Sequence, residues 1–249
     1  MTTDVLRPVR TLNVEIWSDI ACPWCYIGKR RFATALADFP HREHVEVTWR
    51  AYELSPGTPA GPGIPEIEAL ARHKGIPRDQ VTRMFAQVTG VAAGDGLAYD
   101  FDRAIAANTF AAHRLVHLAR TTGGAELAER TLEALFSAHF EHGADLGDDE
   151  TLVRIVGDAG VDADAARGVL AGDAGADAVR ADEDEARALG VTGVPFFVVD
   201  RRIAVSGAQP AGVFTQLLET AWRDAHPIQT LATADGADGA ACVDDSCAV

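Results

Sequence analysis

Positive charge is scarce in this sequence. Its 249 residues include 22 lysines and arginines against 37 aspartates and glutamates, which gives a formal net charge of -15 at pH 7. A protein this acidic repels a polyphosphate backbone and an anionic membrane surface. We therefore expect neither a nucleic-acid partner nor a membrane partner.

Long hydrophobic runs are also lacking. No stretch approaches the roughly 18 consecutive apolar residues that indicate a membrane-spanning helix. Residues 1–17 include basic side chains, but they have neither the apolar segment nor the small-residue cleavage site of an export signal. These features predict a soluble protein of the cytoplasm.

Cysteine is sparse as well, with four residues in the whole chain. That number is too small for the disulfide framework of a secreted protein, and cytosolic disulfides tend to be transient and catalytic or redox-sensing. The spacing of the four is therefore more informative than their number. Cys22 and Cys25 form a Cys-x-x-Cys motif, and Cys242 and Cys247 lie close together near the end of the chain.

Four short runs predict β-strands, because they are rich in β-branched and aromatic residues or alternate in polarity. They lie at 13–20, 44–54, 194–200 and 203–208. Apolar residues at helical spacing predict helices at 22–39, 66–74, 78–92, 101–121, 124–142, 148–159, 162–171, 175–188 and 209–222. In the first of these helices we expect Lys29, Arg30 and Arg31 to face solvent.

The segment Cys22-Pro23-Trp24-Cys25 lies between the first predicted strand and the first predicted helix. Two cysteines on the first turn of a helix lie on one face, close enough for a disulfide. Unpaired amides and the helix dipole would stabilise a thiolate at Cys22, whereas Cys25 lies one turn deeper. We therefore expect Cys22 to attack and Cys25 to resolve. Pro23 would make the turn rigid, and Trp24 would offer apolar surface to a substrate.

Two other interpretations of this cysteine pair are open from the residues alone. The pair would then be half of a zinc site, or two buried cysteines that lie close by chance. A structural zinc site needs four ligands, and the position after a strand and before a helix favours redox chemistry. We therefore predict a redox-active pair.

Four segments, taken in order, resemble the DsbA family and specifically its FrnE-like branch, which is related to 2-hydroxychromene-2-carboxylate isomerases and kappa-class glutathione transferases. The segments are 17–32 (WSDIACPWCYIGKRRF), 107–115 (ANTFAAHRL), 135–148 (LFSAHFEHGADLGD) and 190–210 (GVTGVPFFVVDRRIAVSGAQP). The resemblance implies an α/β fold in which a thioredoxin-like core is interrupted by a large all-helical insertion.

The resemblance also implies domain boundaries and a second element of the site. The core would comprise residues 13–60 and 190–225, with the insertion at 61–189 and a flexible acidic tail at 226–249. A cis proline beside the redox pair would map onto Pro195, and Val194 before it would expose its backbone to a substrate. The expected substrate-binding residues are thus Pro23, Trp24, Val194 and Pro195.

Together these features predict a thiol–disulfide oxidoreductase or isomerase that acts on protein disulfides, or on small thiols and disulfides. It would need no cofactor besides its redox-active disulfide, with glutathione as a candidate co-substrate. One alternative is a glutathione-dependent isomerase or transferase that acts on a small aromatic substrate. The presence of both Cys22 and Cys25 speaks against it, because those relatives usually have serine at the first position. A peptide-binding chaperone is a second alternative, since one fold can support several functions.

The remaining polar candidates have weaker signals. Cys242 and Cys247 are an accessory redox pair, two unpaired thiols, or the second half of a zinc site. Two histidine pairs, His113 with His117 and His139 with His142, have a spacing that could hold a metal, but they lack further nearby ligands, and we expect no metal.

Asp19, three residues before Cys22, could move protons during thiol exchange. We favour a simpler role as the cap of the helix that follows.

Overall fold

The structure, a computed structural model, describes residues 9–227 of the chain. In chain order its strands are β1 (Leu12–Ser18), β2 (Val45–Ala51), β3 (Ile64–Pro65), β4 (Ile105–Ala106), β5 (Phe196–Val199) and β6 (Ile203–Ser206). Its helices are α1 (Pro23–Asp38), α2 (Glu66–Lys74), α3 (Arg78–Gly94), α4 (Phe110–Phe140), α5 (Asp149–Asp158), α6 (Ala163–Ala171), α7 (Ala176–Ala188) and α8 (Ala211–Ala225). Within the described residues, no helix is both long enough and apolar enough to cross a membrane.

A four-stranded sheet in the order β2-β1-β5-β6 forms the centre of the molecule. β1 pairs in parallel with β2, as expected when a helix connects two strands, and pairs antiparallel with β5. Ile16 of β1 lies opposite Trp49 of β2 and Phe197 of β5. Because β1 has a neighbour on each side and helices over both faces, nearly all of its residues are buried. The strand therefore positions the loop that leads to Cys22.

The aromatic residues Phe32, Phe197 and Phe214 pack α1, β5 and α8 against one another on one face of the sheet. The ring centroids of Phe32 and Phe197 are 5.4 Å apart, and those of Phe197 and Phe214 are 4.4 Å apart. All three side chains are buried in the main hydrophobic core. On the opposite face, Trp17 packs in a smaller cluster with Ala186 of α7.

Six helices, α2 to α7, lie between β2 and β5. The predicted break between 121 and 124 corresponds to a kink in α4, where Gly124 has a φ of 72° outside the helical region. The helix begins at Phe110 and not at 101 as predicted, because the preceding residues include β4, which pairs with β3. The interrupting segment is therefore helical except for this two-residue strand pair.

Lys29 of α1 is buried and does not face solvent as the sequence predicted. Its Nζ atom lies 2.5 Å from Glu129 and 2.7 Å from Glu133, both on α4. Tyr26 donates a hydrogen bond to Glu133 at 2.6 Å and stacks on Phe136. Buried charges persist where partners and hydrogen bonds replace water, and this cluster holds α1 against α4.

Asp182 of α7 fastens the helix to the edge strand β2. Its side chain is 2% exposed and accepts hydrogen bonds from the amide of Ala51 at 2.9 Å, from Arg50 at 2.9 Å and from His117 at 2.8 Å. Burial alone would raise the pKa of Asp182, but the hydrogen bonds from His117 and Ala51 and the nearby Arg50 charge outweigh it and lower that pKa. The carboxylate thus remains charged while buried.

Replacement of Asp182 by alanine should lower the free energy of unfolding by about 2 to 4 kcal/mol, because the Ala51 amide and Arg50 lose a buried partner. The exposed Asp184 on the same helix is the matched control, and Asp184→Ala should cost less than about 0.5 kcal/mol. Urea unfolding measures both.

The effect of Asp182→Ala should depend on pH. A carboxyl whose folded-state pKa lies below its ordinary value of 3.8 stabilises the protein above that value and loses the contribution as pH falls through the folded-state pKa. The difference between wild type and Asp182→Ala should therefore shrink below about pH 4. A difference that stays constant down to acid pH would contradict the assigned role of the charge.

Candidate functional site

Cys22 and Cys25 lie on the first turn of α1, at the carboxyl end of β1. Cys22 is the N-cap residue with extended backbone, and Pro23 occupies the first helical position, where its missing N–H has no partner to lose. The Cys25 amide donates to the Cys22 carbonyl at 2.9 Å. Both residues are thiols in this structure, with Cys22 4% exposed and Cys25 fully buried. The first cysteine is thus the nearer of the two to solvent.

The turn before β5 faces the first cysteine. The Val194–Pro195 peptide bond is cis, as the family resemblance implied. The Sγ atom of Cys22 lies 3.6 Å from the carbonyl oxygen of Val194 and donates to it. Directly after β6, the amide of Gly207 donates to the Pro195 carbonyl at 2.8 Å. The structure therefore brings Val194 and Pro195 together with the cysteine turn.

Gly28 allows this close approach, and the sequence analysis did not single it out. A Cβ atom at Gly28 would lie 2.9 Å from Cγ of Pro195 and 3.4 Å from the Phe197 ring. Glycine in a helix interior costs about 1 kcal/mol relative to alanine, so its presence one turn after Cys25 has a packing reason. An isolated glycine in an otherwise helical pattern was the available signal.

Asp19 lies beneath the cysteine turn, and the prediction that its side chain caps α1 is wrong. Its Oδ1 atom accepts from the Ala21 amide at 3.2 Å, and its Oδ2 atom accepts from the Leu54 amide at 2.7 Å. His113 Nε2 lies 3.4 Å from Oδ1. Burial opposes the charged form, but His113 and the Leu54 amide lower the pKa of Asp19. Asp19 therefore joins the end of β2 to the cysteine loop.

The surroundings of Cys25 keep it in the thiol form. Burial is the largest cause that raises the pKa of Cys25, and the neighbouring Cys22 adds to it. The Ser18 hydroxyl and the Asp19 amide act in the opposite direction. On the other side of the turn, the hydroxyl of Tyr99 donates to the Pro23 carbonyl at 2.7 Å, and burial raises the pKa of Tyr99, which keeps it a donor. Tyr99 comes from a distant segment that the sequence analysis did not connect with the cysteines.

Apolar side chains near the cysteine turn are exposed. Trp24 is 39% exposed and Leu54 is 47% exposed. Because the Leu54 amide donates to the Asp19 carboxylate, Leu54 lies beside the loop that contains the cysteines. Trp24 thus offers the apolar surface that the sequence predicted.

The four histidines do not form a metal centre. His113 faces Asp19 and His117 bonds to Asp182, whereas His139 is buried with neither ring nitrogen bonded. Burial lowers the pKa of His139 to about 4, so it is neutral. Within residues 9–227, no cluster of three or more histidine, cysteine, aspartate or glutamate residues could bind a metal. Cys242 and Cys247, with most of the predicted tail, lie outside the described residues.

Comparison with known proteins agrees with this geometry. The model of the family described as "DSBA-like thioredoxin domain" matches residues 13–219. The chain belongs to this family. The predicted thioredoxin-like α/β fold and the resemblance to the DsbA family are thereby confirmed.

Three solved structures resemble this DSBA-like chain. A probable DsbA oxidoreductase from Streptomyces coelicolor is 47% identical, with a TM-score of 0.82, and the match covers 93% of this chain and 99% of that one. The cytosolic disulfide reductase DsbM from Pseudomonas aeruginosa, with GSH, is 21% identical over 85% of this chain and 99% of that one, with a TM-score of 0.58. A 2-hydroxychromene-2-carboxylate isomerase is 16% identical over 85% of this chain and 97% of that one, also with a TM-score of 0.58. The last two show a shared fold.

A curated relative matches over a short segment. The uncharacterized protein YwbO of Bacillus subtilis is 37% identical over 46 residues, which are 18% of this chain and 21% of that protein. The family and the fold therefore rest on the longer matches.

Substitution of Gly28 by alanine should displace the Val194–Pro195 turn from Cys22, because a Cβ atom has no room against the proline ring. We expect a lower melting temperature and redox activity reduced at least several-fold, with the helical content retained. Gly168→Ala on α6 is the control, since a Cβ atom there meets nothing within 4 Å, and it should stabilise by about 0.5 to 1 kcal/mol. Wild-type stability and activity in Gly28→Ala would show that the turn does not depend on this glycine.

Proposed function

We propose that this DSBA-like protein is a thiol–disulfide oxidoreductase that acts on protein disulfides through Cys22 and Cys25. The observation that carries the proposal is the contrast between the two sulfurs. Cys22 caps a helix beside the Val194 carbonyl, and Cys25 is fully buried with a raised pKa. A nearer attacking group and a sheltered resolving group are what stepwise disulfide exchange requires.

The exchange proceeds in two steps that conserve electrons. The Cys22 thiolate attacks one sulfur of a substrate disulfide, which forms a mixed disulfide and releases the other substrate sulfur as a thiolate. Cys25 then loses its proton and attacks the Cys22 sulfur, so that the second substrate thiolate leaves and the Cys22–Cys25 disulfide forms. Two electrons pass from the protein dithiol to the substrate disulfide, and an external dithiol restores the reduced form.

Exposed apolar surface supports protein substrates. Trp24 follows Cys22 by two residues, and Leu54 is attached to the same loop through Asp19. Large exposed side chains beside a reactive group suit an unfolded or partly folded chain, which has apolar residues around its cysteines.

The cytoplasmic location and the accessory role of Cys242 and Cys247 stay predictions.

Cys25→Ser should trap the mixed disulfide, because the group that expels the substrate is gone. The experiment is made in a Cys242→Ser, Cys247→Ser background, so that Cys22 is the only cysteine. Incubation with a disulfide-containing protein should yield a covalent adduct that dithiothreitol dissolves, and insulin reduction should fall to background. Cys22→Ser in the same background is the matched control and should form no adduct.

Insulin reduction that persists in both variants would contradict the proposal. Turnover of a chromene carboxylate with glutathione, or prevention of aggregation by a variant lacking both cysteines, would instead favour the isomerase or the chaperone alternative.

Alkylation of the reduced protein at neutral pH should modify Cys22 well before Cys25. Cys25 is buried and held as a thiol, and each pKa unit reduces the reactive thiolate about ten-fold. We therefore expect a rate ratio of about ten or more, measured by mass spectrometry of peptides after timed quenching. Equal rates at the two cysteines would remove the basis for their separate roles.

A further inference from the structure

A cavity of about 430 Å³ begins at Ala21, the residue before Cys22. It lies between α2, the loop after β2 and the residues that follow β4, and Ser55, Pro62, Leu70 and Ala107 form part of its wall. Sites for small molecules have volumes of roughly 300 to 1,000 Å³ and are mostly apolar with a few polar groups. The cavity therefore has the size and the lining of a small-molecule site next to the attacking cysteine.

Glu66, the first residue of α2, is the acidic group of this cavity. Its Oε2 atom is shut off from solvent and has no hydrogen-bond partner among the described residues. Burial and the nearby charge of Asp19 raise the pKa of Glu66 to about 7. Because the Glu66 side chain also lines the cavity, a positively charged donor bound there would offset the cost of burial and stabilise the charged form of the carboxyl.

Arg72 and His73, at the other end of α2, also line the cavity. They are exposed, and six residues separate Glu66 from Arg72, which is roughly 9 Å along a helix axis. Water and salt screen exposed charges at that distance, whereas the charge of Asp19 is buried and close to Glu66. The region next to the cysteine loop thus favours a cation.

We propose that the cavity binds the ammonium-bearing half of a small disulfide, with Glu66 as its counter-ion and its sulfur at Cys22. The proposal rests on the oxidoreductase function proposed above and specifies a substrate class for the same site. Short aliphatic chains between sulfur and ammonium fit the apolar wall, and Glu66 selects the charge at their end. The exchange chemistry is the two-step sequence already described, with the small disulfide as the electron acceptor.

Three disulfides of similar length and different charge test the proposal. Cystamine is a dication, bis(2-hydroxyethyl) disulfide is neutral and dithiodiglycolate is a dianion. Each kcat/KM is divided by the rate of the same disulfide with free dithiothreitol, so that intrinsic reactivity cancels. Wild type should prefer cystamine over the neutral disulfide by about ten-fold, which corresponds to about 1.4 kcal/mol.

Glu66→Gln should reduce this preference to less than about two-fold, because the amide cannot become a counter-ion. Glu68→Gln is the matched control: it makes the same charge change on the same helix, at a side chain that pairs with Arg78 at 3.5 Å and does not line the cavity. Glu68→Gln should retain the wild-type preference. Equal rates for the three disulfides, a preference for dithiodiglycolate, or the same loss in both variants would overturn the proposal while leaving the oxidoreductase function intact.

If wild type reduces insulin but none of the three disulfides, the proposed substrate class is wrong, and a binding measurement then tests the cavity by itself. S-methylcysteamine carries the ammonium but cannot exchange sulfur. Calorimetric titration should show that wild type and Glu68→Gln bind it more tightly than Glu66→Gln by about ten-fold. Equal binding by all three proteins would overturn the cavity assignment.

Discussion

The close contact between the first two turns of α1 and the Val194–Pro195 turn is the constraint on which the candidate site depends. Gly28 permits the approach, and the buried ring of Phe32, packed on Phe197, keeps the helix at that distance from β5. On its other side, α1 is held to α4 by the ion pairs of Lys29. A helix fixed on two sides cannot rotate, so Cys22 stays at the Val194 carbonyl and Cys25 stays in the core.

Local signals were sufficient for the elements that carry the site. A strand followed at once by Cys-Pro-Trp-Cys and an amphipathic helix is a pattern of neighbouring residues, and β1 and α1 were found close to their predicted bounds. The strands at 194–200 and 203–208 were predicted for the same reason, and β5 and β6 pair in that region. Periodicity and turn chemistry act over a few residues, and the sequence shows them directly.

Contacts between distant residues were beyond the reach of such patterns. Tyr99 donates a hydrogen bond to Pro23, 76 residues away in the sequence, and Lys29 donates to Glu133, 104 residues away. A lysine next to two arginines predicts a solvated face until α4 is known to lie against it. Asp19 was expected to act as a cap because caps are local, but the Leu54 amide at the end of β2 competes for its carboxylate.

Asp19 and Glu66 show how partners decide the state of a buried carboxyl. Asp19 has two amide donors and a histidine, and these interactions outweigh the cost of burial. No donor among residues 9–227 bonds to the buried oxygen of Glu66, and Asp19 itself repels the charge of Glu66. One acid is therefore a fixed structural anion and the other can change charge near neutral pH.

The attachment of α7 to β2 also bears on self-association. An edge strand presents unpaired amides and carbonyls to which a strand from another molecule can add, a common route to aggregation. Here the Asp182 carboxylate accepts a hydrogen bond from the amide of Ala51 at the end of β2, and α7 contacts that strand. A partly folded chain in which α7 is detached would expose β2 next to the hydrophobic β1. The interaction that orders this corner of the fold is thus also a barrier against polymerisation through the sheet.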